Sequence, residues 1–127
     1  MKFLGTGSAL PKKVVSNDDL AQVMDTSDEW IRSRTGIGMR HIAVEETTTS
    51  MAVEAAEKAL ADAKISGCEI DLIIAGTISP DYIFPSLACE VQAAIGAKSA
   101  TAFDLSAGCP VFLFALATAD AYFRTGR

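Results

Sequence analysis

Cys109 is the residue best placed by sequence to do covalent chemistry. It follows the short strand Thr101–Leu105 and the small-residue turn Ser106-Ala-Gly108 and precedes Pro110 and a long apolar segment, a strand–turn–helix pattern. A thiol at a helix N-terminus meets the positive end of the helix dipole and free backbone N–H groups, and both favour the nucleophilic thiolate. The small residues before it leave room for backbone and substrate to approach. The placement follows the logic of a nucleophile elbow, although G-x-S-x-G itself is absent. A buried, inert thiol is the competing reading, and position alone leaves the two balanced.

A second group is Trp30 with Arg32, Arg34 and Arg40, in the basic stretch WIRSRTGIGMRH of an otherwise acidic chain. An indole stacks on flat rings and guanidinium groups fork onto anions, so the set suits a nucleotide-bearing ligand such as coenzyme A. Chemistry alone favours the plainer alternative, a core Trp with arginines satisfying local acids such as Asp28 and Glu29. His41 reads as a structural hydrogen-bonding residue. Cys68, in a helix–strand loop, and Cys89, on an Ala-rich helix face, read as packing or idle thiols. Gly5-Thr-Gly7 does not complete a phosphate-binding G-x-G-x-x-G. Phe84-Pro85 either lines a pocket or turns the chain. The acidic residues read as scattered, solvated helix faces without a catalytic carboxylate pair.

The elements that must hold these residues are a short strand over Lys2–Ala9, a helix over Asp18–Met24 opened by a capping box at Ser16 and Asp19, and a helix starting at Thr26-Ser-Asp-Glu and stopping at Gly36. A helix over Ser50–Lys64 follows, with Met51, Ala55, Ala59 and Ala63 on one face. Ile70–Gly76 is a continuous apolar run of the kind buried on both faces of a parallel sheet. Ser79–Pro85 is a loop, Ser86–Ile95 a helix, Thr101–Leu105 a strand and Pro110–Arg124 a helix apolar nearly all round, hence one to be buried inside a larger fold. The order β-α-α-α-β-α-β-α predicts an α/β architecture with a largely parallel sheet. A parallel sheet needs a returning strand after Arg124, so the 127 residues read as a fragment.

Composition narrows the function classes. Half of the chain is apolar, which supports a core and excludes disorder. A net charge of −5, from 16 acidic against 11 basic residues, argues against nucleic-acid binding and a polybasic membrane anchor. The start lacks a secretory apolar region, and the apolar stretch Val111–Ala119 is far below the ~18 residues of a membrane span. Cys68, Cys89 and Cys109 lack metal-type spacing, and His41 is the sole histidine, so no metal site is expected. The expected setting is the cytoplasm with reduced thiols.

GTGSALP at 5–11, DTSDEWIRSRTGI at 25–37, RHIA at 40–43, FPSLAC at 84–89 and DLSAGC at 104–109 closely resemble β-ketoacyl-[acyl-carrier-protein] synthase III, a thiolase-fold condensing enzyme of fatty acid synthesis. The resemblance runs through the whole chain, in order. It implies an incomplete N-terminal half of a thiolase-like α/β fold over 1–127, with a parallel or mixed sheet and a buried nucleophile helix, and with the C-terminal half absent. It implies that Cys109 is the acylated nucleophile, that Trp30 stacks on the adenine of coenzyme A, that Arg34 and Thr26 belong to the same site, and that Phe84 reaches across a homodimer toward the partner's acyl pocket. Acyl-CoA would load Cys109, and malonyl-[acyl-carrier-protein] would then lose CO₂ and condense with the acyl-cysteine. No resident cofactor is implied; acyl-CoA is a substrate. The second stage needs a His and an Asn that the family carries in its C-terminal half.

The resemblance fails locally after the nucleophile. The family has a small residue, then Gly, then Phe; here Pro110 and Val111 precede Phe112. Val111 adds bulk near the acyl pocket. Two other readings remain open: an acyltransferase of the same fold in secondary metabolism, and a non-catalytic remnant that binds coenzyme A or pairs with a full-length subunit. An unpaired sheet edge and the apolar helix Pro110–Arg124 predict instability or aggregation of the isolated chain.

Overall fold

The computed structural model describes residues 2–126; Met1 and Arg127, the ends of the expected 1–127 span, lie outside the described residues. Contacts gather the chain into two compact units, Leu10–Glu46 and the described part of Met1–Ala9 with Thr47–Arg127.

In Leu10–Glu46, strands β1 (Lys13–Ser16) and β2 (Met39–Ile42) pair antiparallel, Lys13 opposite Ile42 and Ser16 opposite Met39. Between them lie helices α1 (Asn17–Ala21) and α2 (Asp28–Thr35). The capping box forms as expected. Ser16 Oγ accepts from Asp19 N–H at 3.1 Å, and Asp19 Oδ2 accepts from Ser16 N–H at 2.8 Å. The helix ends at Ala21, shorter than expected, because no apolar side chain from 22–24 is buried to extend it. Ser27 caps α2 through Trp30 N–H, and Gly36 stops it at φ 74°, a left-handed position where glycine carries no Cβ penalty. Glu46 closes the unit by accepting the N–H groups of Lys12 and Val44 at 3.0 and 3.2 Å.

In the other unit, helix α3 (Thr48–Ala63) begins at a Thr47 cap, two residues earlier than expected, and ends at Lys64 with φ 58°. A 3₁₀ turn, Gly67–Glu69, leads to β3 (Leu72–Gly76). Helix α4 (Leu87–Ala94) crosses to β4 (Thr101–Leu105), which pairs with β3 in parallel, Leu72 opposite Thr101 and Gly76 opposite Leu105. Helix α5 (Val111–Thr125) follows. Side chains alternate faces along a strand. Asp104 of β4 therefore meets α4, while Phe103 meets Tyr122 of α5 with ring centroids 6.2 Å apart. The most buried apolar residues, Leu87, Ala88, Val91 and Ala97, lie in or just after α4.

One expectation is corrected. Residues 2–9 form no strand: among the described residues no ladder partner faces them. They lie along α3, where Thr6 N–H donates to Asp62 and Lys58 Nζ donates to the Ser8 carbonyl. The approach is close enough that a Cβ at Gly5 would sit 2.5 Å from Ala63 N, so glycine is required there. As the fold class anticipates, the described residues combine a parallel pair, β3–β4, with an antiparallel pair, β1–β2, a mixed α/β arrangement. Within this chain α5 has no buried residue, and Phe112, Leu113, Phe114 and Phe123 are exposed, the unburied apolar helix expected of a part of a larger fold.

Two carboxylates make the stability of this architecture acid-dependent. The N–H of Lys12, before those of Glu46 and Val44, holds Glu46 at about 2, below its ordinary 4.5. Asp81, bonded by Thr49, is likewise at about 2 against 3.8. Depressed carboxylates stabilise the fold above their ordinary values, and that contribution is lost as pH falls through about 2. Amide shifts of Lys12 and Thr49 should therefore titrate near pH 2; midpoints near 4 would contradict these contacts.

Candidate active site

Cys109 emerges from the C-terminal end of β4 through a turn in which Gly108 adopts φ 61° and Val111 N–H donates to Gly108 O at 3.1 Å. Pro110 takes the cap position of α5 rather than its first turn, so the thiol stands one residue ahead of the cap. The thiol is exposed, which removes the buried-thiol reading within this chain. It shares a recess of about 340 Å³ with Gly76, Thr77, Ile78, Gly108 and Val111, at the C-terminal ends of two parallel strands. Such ends are where α/β sheets bind ligands.

Val111 and Gly76 are complementary. A Cβ on Gly76 would lie 2.6 and 2.9 Å from the two Val111 methyl groups. The missing side chain at the end of β3 is what admits a branched residue after the nucleophile. Only the packing of the start of α5 on the end of β3 makes the relation visible; the two residues are 35 positions apart in sequence (111 − 76).

The Trp30 group assembles within Leu10–Glu46. Thr26 and Trp30 line one recess of about 320 Å³ with Asp25 and Ser27, and the Arg34 guanidinium carbon sits 4.4 Å from the Trp30 ring centroid. Trp30 is 54 % exposed, so an aromatic face and a cation are presented together. Arg32 behaves otherwise. Its Nε and Nη2 bind Asp28 at 3.1 Å each, the local pairing expected of a structural arginine. Hydrogen bonds from Arg32, then Asn17, lower the Asp28 pKa. Arg40 turns inward, with Nη1 donating to Val15 O and Nη2 to Asn17 Oδ1. His41 Nδ1 lies 2.6 Å from Pro11 O, a hydrogen-bonding position.

The remaining candidates disperse. Phe84 is 88 % exposed at the far end of the β3–α4 loop. Cys68 Sγ lies 2.8 Å from Ser66 Oγ, and Cys89 sits half-buried in α4. Thr26, Trp30 and Arg34 belong to one unit, Cys109 and Phe84 to the other. Among the described residues no group of three His, Cys, Asp or Glu is arranged to hold a metal, and no helix is long and apolar enough to cross a membrane.

Sequence reasoning missed Asn17, Asp81 and Asp104. Asn17 is 1 % exposed and donates through Nδ2 to Asp28 Oδ1 and Ile37 O at 2.7 and 2.8 Å, tying both ends of α2 to α1. Asp81 accepts two N–H groups of α3, and Asp104 two of α4. These acids are helix anchors, not the solvated faces expected.

No family model matches the chain. Among curated proteins it is 56% identical over 125 residues to β-ketoacyl-[acyl-carrier-protein] synthase III 1 of Bacillus anthracis, covering 98% of this chain and 40% of that protein. The crystal structure of 3-oxoacyl-[acyl-carrier-protein] synthase III from Aquifex aeolicus superposes with a TM-score of 0.95 at 53% identity, over 98% of this chain and 41% of that one. The priming β-ketosynthase of the R1128 polyketide pathway superposes at 0.91 with 38% identity, over 95% and 36%. The chain thus spans about two-fifths of the length of the proteins it matches.

Proposed function

We propose that this chain, a homologue of β-ketoacyl-[acyl-carrier-protein] synthase III over its described length, carries the acyl-loading chemistry that starts fatty acid biosynthesis. Cys109 Sγ attacks the thioester carbonyl of an acyl-CoA. A new sulfur–carbon bond forms, the donor's thioester bond breaks, and the thiol proton leaves with coenzyme A. Trp30 offers its ring to the adenine, Arg34 its charge to the phosphates, and Thr26 a contact at the same recess. Acyl-CoA acts as substrate, and no resident cofactor is needed. In the complete reaction malonyl-[acyl-carrier-protein] loses CO₂ and its carbanion attacks the acyl-cysteine, in a cytoplasmic homodimer to whose contact Phe84 contributes.

The observation that carries this reading is the exposed Cys109 thiol in a recess at the C-terminal ends of β3 and β4. Intact mass after incubation with acetyl-CoA tests it. One acetyl group is expected on the chain and none on Cys109→Ala. Trp30→Ala should need roughly tenfold more acetyl-CoA for the same labelling, the order of one lost base-stacking contact. Absence of the adduct from monodisperse protein would leave a binding or subunit-pairing role. The likeness to a polyketide priming synthase supports a second reading, the same acyl transfer serving another pathway; a panel of acyl-CoA donors separates the two by chain-length preference.

A further inference from the structure

The loop that joins β3 to α4 starts beside the nucleophile and carries an exposed apolar tip before it reaches α4. Thr77 and Ile78 line the Cys109 recess, while Ile83 and Phe84 are 100 % and 88 % exposed. Loop residues with such apolar tips and no packing of their own would sample many conformations. Hydrogen bonds to the start of α3, chiefly those of Asp81, restrain it. Asp81 Oδ1 accepts from Thr48 N–H at 3.1 Å and Oδ2 from Thr49 N–H at 2.6 Å, the first two residues of α3. These are N–H groups that the Thr47 cap does not reach, since its hydroxyl takes Ser50 N–H. One further bond holds the loop, Thr48 Oγ1 donating to Ser79 O at 3.1 Å, while Thr49 Oγ1 ties the same end of α3 to α4 by donating to Glu90 Oε2 at 2.7 Å.

We infer that Asp81 is a positioning residue for acyl loading: latched to the start of α3, it holds Ile78 as a wall of the Cys109 recess and presents Phe84 outward. The inference rests on the acyl-transfer reading of Cys109 and extends it to a residue that touches neither thiol nor donor. Aspartate fits because two diverging N–H groups need two acceptor oxygens; asparagine keeps only one. The bonds from Thr49 keep the group ionised across the neutral range, so the latch is closed there.

Amide hydrogen exchange on the full chain tests the latch without reference to catalysis. In Asp81→Ala, Thr48, Thr49 and the loop amides should exchange roughly tenfold or more faster, with β4 unchanged. Unchanged exchange at Thr48 and Thr49 overturns the inference. Should Asp81→Ala loosen its whole unit, Asp81→Asn decides: acceleration confined to Thr48, Thr49 and the loop supports the latch, and uniform acceleration overturns it. The positioning role is read from the ratio of acetyl to butanoyl transfer onto Cys109. A wall that has come loose moves this ratio toward one. An equal fall for both donors means that Asp81 only stabilises the fold, and overturns the positioning role. If the unsubstituted chain takes up neither acyl group, the transferase reading and the positioning role fall together, while the exchange result still decides the latch.

Discussion

Asp104→Ala is expected to lower the stability of the β3–α4–β4 unit by about 2–5 kcal/mol, a large share of what a small domain has. Asp104 stands in the parallel ladder opposite Ala75, and its two oxygens accept the N–H groups of Ala88 and Leu87 at 2.8 and 2.9 Å. Those donors belong to the first turn of α4, where no carbonyl of the helix can serve them. Ala88 is 0 % and Leu87 5 % exposed, so water does not replace the lost acceptor. Each orphaned buried N–H costs about 1–3 kcal/mol, and the helix loses the anion at its positive end as well. Asp104→Asn retains one acceptor and should fall between. Urea unfolding followed by circular dichroism measures the change; a midpoint for Asp104→Ala equal to that of the parent chain would refute the account. Asp104 lies five positions before Cys109 (109 − 104), so the same carboxylate that docks α4 also fixes the strand from which the nucleophile turn departs.

What the sequence disclosed about this unit, and what it hid, follows from the range of the interactions. Leu72–Gly76 is an unbroken apolar run of strand length, the pattern of a strand covered on both faces of a parallel sheet, and it pairs in parallel with Thr101–Leu105. Caps are local, so Ser16, Ser27, Ser86 and Gly36 were readable from their neighbours alone. The hairpin-like pair β1–β2 was not. Each strand has four residues, too few for a period of two to stand out, and Arg40 in β2 reads as a ligand cation although its guanidinium turns back to Val15 and Asn17. Asp81 and Asp104 carry no local mark either. Whether an acid faces solvent or the N-terminus of a helix 16 to 33 residues away is decided by the tertiary fold. The same holds for Val111, whose bulk reads as an obstruction beside Cys109 until Gly76 is seen opposite it.

Asn17 offers the sharpest test of the unit that bears Trp30 and Arg34. Its side chain is almost wholly buried and fully used: Nδ2 donates to Asp28 Oδ1 and Ile37 O, and Oδ1 accepts from Arg40 Nη2 at 2.5 Å. Asn17→Ala leaves an Arg40 donor and two acceptors without their partner and should cost about 2–4 kcal/mol. Asn17→Asp separates hydrogen bonding from volume. It keeps the shape and the Arg40 contact but sets a second carboxylate within 2.7 Å of Asp28, whose pKa is lowered in the parent by Arg32 and Asn17. Two carboxylates at that distance cannot both be ionised, so one must bind a proton on folding. The raised group contributes stability that is present below its ordinary value and lost as pH rises through the folded one, the reverse of the parent's Asp28. Asn17→Asp should therefore be weakest at neutral pH and recover toward pH 4, while Asn17→Ala shows no such recovery (about 4 being the ordinary carboxylate range). Urea midpoints of both variants across that range give the answer, and parallel pH profiles for the two would show that Asn17 does not bridge Asp28 to Arg40.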